Sequence, residues 1–87
     1  MADWIGAIYF HPDVVAKLGR KHNVTPGQVR DAVAYGNHAT AAWHDDPIYG
    51  ERLIVKGVDA DGIELIAYLR PIDRTDGTWE CLTARTL

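Results

Sequence analysis

The sequence predicts an α+β domain with two N-terminal helices packed on one face of a mostly antiparallel sheet of four to five strands. Apolar residues recur at helical spacing only in the first half of the chain and alternate with polar ones only in the second. Capping residues punctuate the first half and hairpin residues the second. Helices first and adjacent strands later is the order of a sheet with helices segregated to one face. The chain's 87 residues suit a single domain, residues 1–87, and a 47% hydrophobic share is ordinary for a globular protein.

A short apolar segment, Ile5 to Phe10, is expected as a first edge strand. His11, Pro12 and Asp13 then open a helix over residues 12 to 22, with Val14, Val15 and Leu18 at helical spacing. Its basic end, Arg20-Lys21-His22, suits a helix C-terminus, and Asn23 can take the left-handed cap. Thr25-Pro26-Gly27-Gln28 has the spacing of a capping box, with Val24 and Val29 at the positions of a hydrophobic staple. A second helix is therefore expected over residues 25 to 35, closed by Gly36. Strands follow at about Ala39 to His44, Glu51 to Val58, Ile63 to Arg70 and Thr78 to Arg85.

Asp59-Ala60-Asp61-Gly62 reads as a three-residue hairpin loop with Gly62 at the left-handed position, which pairs Asp59 with Ile63. Following that register, Val55 faces Ala67 and Leu53 faces Leu69. One face then carries Leu53, Val55, Ile63, Leu65, Ala67 and Leu69. The other holds Arg52, Ile54, Lys56, Glu64, Ile66, Tyr68 and Arg70, with Arg52 opposite Arg70. Two opposed arginines repel unless water or an anion lies between them. Cations beside a tyrosine are also what single-stranded RNA binders offer, phosphate contacts next to a stacking surface; a merely solvated face has the same composition. For the last strand, an even closure of the Asp73–Gly77 loop is expected. It turns Trp79, Thr83 and Arg85 toward Arg70 and leaves Leu82 and Ala84 in the core, so that no guanidinium is buried alone.

A net charge of −3 gives no reason to expect nucleic acid over the whole surface, so any such site is a local patch. The single cysteine, Cys81, excludes an intrachain disulfide and a multi-cysteine zinc site. With no signal-like or membrane-spanning apolar run, a cytoplasmic protein without membrane association is expected. His44, Asp45 and Asp46 are consecutive and cannot converge on one ion from a strand, so neither a metal nor another cofactor is expected.

The order Lys21-His22-Asn23-Val24, then Glu51-Arg52 opening a central strand, then Thr83-Ala84-Arg85 near the end resembles the BrnT-like toxins of bacterial type II toxin-antitoxin pairs, within the RelE superfamily of microbial ribonucleases. Asp3-Trp4 reverses the tryptophan-aspartate pair usual near their start. The resemblance implies a RelE-like fold and metal-independent RNA cleavage, in which a ribose 2′-hydroxyl attacks the adjacent phosphorus. His22 would shuttle the proton, because an imidazole changes protonation near neutral pH. Arg52 and Arg85 would hold the nonbridging oxygens, with Glu51 as a second base. Lys21, Lys56, Tyr68 and Arg70 would bind the rest of the RNA. The implied partners are RNA and a cognate antitoxin, or a second copy of the chain. The competing reading is a nonenzymatic interaction module, or an inactive relative, whose exposed edge is the segment Trp4, Ile5, Ile8, Tyr9 and Phe10.

Overall fold

A computed structural model describes residues 4–34, 38–48 and 50–87. The elements run β1 (Ala7–Tyr9), α1 (Pro12–Lys17), a π-helical turn (Leu18–His22), α2 (Pro26–Val33), β2 (His38–Asp46), β3 (Gly50–Val58), β4 (Glu64–Asp73) and β5 (Thr78–Thr86). The strands form one sheet in the order β1-β5-β4-β3-β2, antiparallel except where β1 pairs with β5 in parallel. The architecture is α+β with two helices on a five-stranded sheet. No helix among the described residues is long and apolar enough to cross a membrane.

The helix boundaries follow from their caps. His11 Nδ1 accepts from the Asp13 amide at 3.1 Å, and Pro12 takes the first turn, where its missing N–H is no loss. At the far end Asn23 sits in the left-handed region at φ 53°, and the Val24 amide returns to the Leu18 carbonyl at 3.1 Å. The last turn is π-helical, a wider winding than the continuous α-helix expected over residues 12 to 22. Thr25 and Gln28 make both halves of the capping box, at 3.1 and 2.9 Å, over the buried staple of Val24 and Val29. α2 ends at Val33, since Ala34 is already extended, and Gly36 lies outside the described residues.

Leu18, Val24, Val29, Ala32 and Val33 from the helix layer meet Leu53, Val55, Leu65, Ala67 and Leu69 from the sheet in one core. The hairpin register is the expected one, Leu53 opposite Leu69 and Val55 opposite Ala67. Ile63 is the exception on that face: it sits at the hairpin tip, 41% exposed.

The tip is organised by Asp59. Its Oδ1 accepts from the amides of Ile63 and Asp61, both at 2.9 Å, and Gln28 of α2 donates to its Oδ2 at 3.2 Å. Gly62, at φ +84°, supplies the left-handed residue the loop requires. The Ile63 amide is the main cause that holds the Asp59 carboxyl below its usual value, against an opposing cost of burial; Gln28 and the loop amides add to it. With a folded-state value below the unfolded one, the stabilisation is complete above the ordinary 3.8 and lost as pH falls through the folded value. Asp59→Asn is therefore expected to melt below the wild type at neutral pH, with the gap closing on acidification below 3.8. A gap that stays constant with pH would show that Asp59 does not contribute through its charge.

β5 departs from the expected closure. Its register slips between the Tyr68 and Leu69 levels, where Leu82 is the extra residue of a β-bulge. Before the bulge, Trp79 and Cys81 face the core and are fully buried; after it, Thr83 and Arg85 lie opposite Tyr68 and Ile66 on the outer face, and Ala84 returns to the core. Neither loop parity alone produces this. Trp79 is inside, contrary to expectation, and Leu82 is half-buried at the bulge and no core residue.

The first segment forms an edge strand whose inward side chains join the core. Ile5 and Ile8 are buried, and Phe10 packs against the core under the Arg30 guanidinium at 5.1 Å. Trp4 and Tyr9 remain exposed. Trp4 lies over Gly77, where a Cβ would come within 2.6 Å of its ring, and its carbonyl accepts the Trp79 indole N–H at 3.0 Å.

Candidate nucleic-acid interface

On the face opposite Leu53, Val55, Ala67 and Leu69 the strand register sets side chains in cross-strand rows. His44 lies opposite Arg52, and Arg70 opposite Glu80; one step beyond the Leu53–Leu69 pair, Arg52 and Arg70 become neighbours. Four strands thus carry the row His44, Arg52, Arg70, Glu80. The next row is Ala42, Ile54, Tyr68, Thr83, and the third is Thr40, Lys56, Ile66, Arg85. Successive rows are about 7 Å apart, so the outer two stand on the order of 14 Å from each other. A half-buried tyrosine and aliphatic groups separate two cationic ends.

The repulsion between Arg52 and Arg70 is answered by carboxylates. Asp46 Oδ2 lies 3.4 Å from Arg52 Nη2, in a pair that is mostly shielded from solvent, and Glu80 pairs with Arg70. Asp46 also accepts from the Ile48 amide at 2.8 Å, closing an Asx turn. Arg52 and Arg70 line one groove of about 330 Å³ with Leu82 and with Lys17, which reaches in from the end of α1. Lys17 was not singled out by its sequence position. Among the described residues no ion pair involves it.

The other expected site residues fall as follows. Glu51 sits next to Arg52 in an extended strand, so it points to the opposite face, with Asp45 as its cross-strand neighbour. Arg85 shares the face with Arg52 but lies two strands and four residues away, about 16 Å between Cα positions. That spacing suits two phosphates of one strand better than one. Lys56 stands in Arg85's row, and Ile66 between them is buried, flanked by their long stems. His22 is half-buried and Lys21 exposed, both in the π-helical turn, and neither lines the groove.

Sequence reasoning leaves out Glu80 as well as Lys17 and weighs His44 only as a metal ligand. The position of His44 opposite Arg52 depends on the β2–β3 register, which no residue type in that loop announces. Cys81 takes no part, since burial pushes its thiol up to about 12 and leaves negligible thiolate near neutral pH. Comparison with family models, curated proteins and solved structures gives no match.

Proposed function

We propose that this chain is a metal-independent endoribonuclease that acts on single-stranded RNA laid across the outer sheet face, and a RelE-like toxin held in check by an antitoxin that covers the same face. The observation that carries the reading is the row His44, Arg52, Arg70, Glu80 beside Tyr68. It combines two groups able to exchange protons, two guanidiniums suited to a phosphate, and a stacking surface one row away.

In this mechanism Glu80 accepts the 2′-hydroxyl proton. The freed oxygen attacks the adjacent phosphorus, and Arg52 and Arg70 stabilise the added negative charge. Protonated His44 donates to the departing 5′-oxygen, leaving a 2′,3′-cyclic phosphate on one product. His44 and Glu80 stand three strands apart, about 14 Å between Cα positions, which leaves room for the phosphate between their side chains. Lys56 and Arg85 hold the strand further along.

The test is cleavage of an oligoribonucleotide in EDTA. His44→Gln should lower the rate roughly a hundredfold, the usual worth of a positioned acid, while His22→Gln leaves it within about twofold. The reverse pattern would return the proton transfer to the helix corner. Cleavage that requires added metal would exclude the mechanism.

A further inference from the structure

We infer that the groove between Lys17, Arg52, Arg70 and Leu82 holds an internal phosphodiester of the RNA, and that Lys17 is its third, helix-borne contact. This rests on the ribonuclease reading for the identity of the strand, and on the groove itself for the chemistry. Residues far apart in sequence bring three cations from α1, β3 and β4 to one space of about 330 Å³. Among the described residues Asp46 and Glu80 offset two of them, which leaves a single positive charge, carried by Lys17. One net charge matches the monoanion of a phosphodiester better than the near-dianion of a terminal phosphate. The space exceeds a phosphate alone, and half-buried Leu82 gives an apolar wall for the adjoining ribose. Tyr68 lies one row along the same strand from Arg70, about 7 Å away, where the neighbouring base can stack.

The experiment measures binding of a 2′-O-methyl oligouridylate, which has no hydroxyl for attack, as a function of salt. Lys17→Ala should weaken binding roughly tenfold at low salt and reduce the slope of log affinity against log salt by about 0.7, one phosphate contact on a single strand. Lys17→Arg should restore both. Lys17 projects from an exposed position on α1, and equal melting curves check that the fold is kept. Adding a 5′-phosphate to the oligomer should change affinity less than twofold. An unchanged slope in Lys17→Ala overturns the inference, and so does a large gain from the 5′-phosphate that disappears in that variant. Lys17-dependent binding by a protein that cleaves no RNA would support the groove and refute the ribonuclease. Cleavage by a protein whose binding ignores Lys17 would do the opposite.

Discussion

Trp79→Ala is expected to cost about 3 to 5 kcal/mol, the largest loss of any single truncation in this chain. The side chain is 0% exposed, its indole N–H is satisfied by the Trp4 carbonyl at 3.0 Å, and its ring meets Trp43 at 5.7 Å. Removal leaves a cavity, takes the indole donor from the Trp4 carbonyl and strips one ring contact from Trp43. For a domain of this size each kcal/mol lowers Tm by about 4 to 8 °C, so the variant should melt well over 10 °C below the wild type. Trp79→Phe should recover most of the difference. A loss under about 1 kcal/mol would mean that Trp79 lies on the outer face, as an unbulged β5 would place it.

Arg52→Ala is expected to lower RNA cleavage by a hundredfold or more, the usual consequence of removing one well-placed contact to transition-state charge. Its neighbours make the test specific. Arg52→Lys keeps the charge but loses the planar fork, and should recover only part of the rate. Arg85→Ala, two rows away, should raise KM and leave kcat nearly unchanged, because its phosphate is not the one that reacts. Equal collapse of kcat in Arg52→Ala and Arg85→Ala would show that both grip the same phosphate. Full activity in Arg52→Ala would remove the site.

Much of the scaffold was legible because its signals are local. Thr25 and Gln28 close a capping box, and Asp59 and Gly62 close a hairpin; each acts within five residues, and the hairpin sets the register of everything from Leu53 to Leu69. What could not be read depends on distant geometry. Leu82 makes a bulge without being a glycine or otherwise unusual, so the inward turn of Trp79 left no mark in the residue types. The facing of His44 and Arg52 needs the β2–β3 register, and Lys17 reaches the groove only through the path of the chain after β1. The motif Glu51-Arg52 misleads for a simple reason: adjacent residues in a strand serve opposite faces.

The bulge at Leu82 also governs how β5 can vary in length. Upstream of it the odd-numbered positions Trp79 and Cys81 point inward, and downstream the even-numbered Ala84 does. Loss of Leu82 alone would make Cys81 and Thr83 consecutive and leave a regular strand, with Trp79, Cys81 and Ala84 still inward and Thr83 and Arg85 still outward. Removal of residues in pairs keeps each phase intact. The strand therefore behaves as two half-strands spliced out of step, and the residue at the splice is the one whose deletion restores regular alternation.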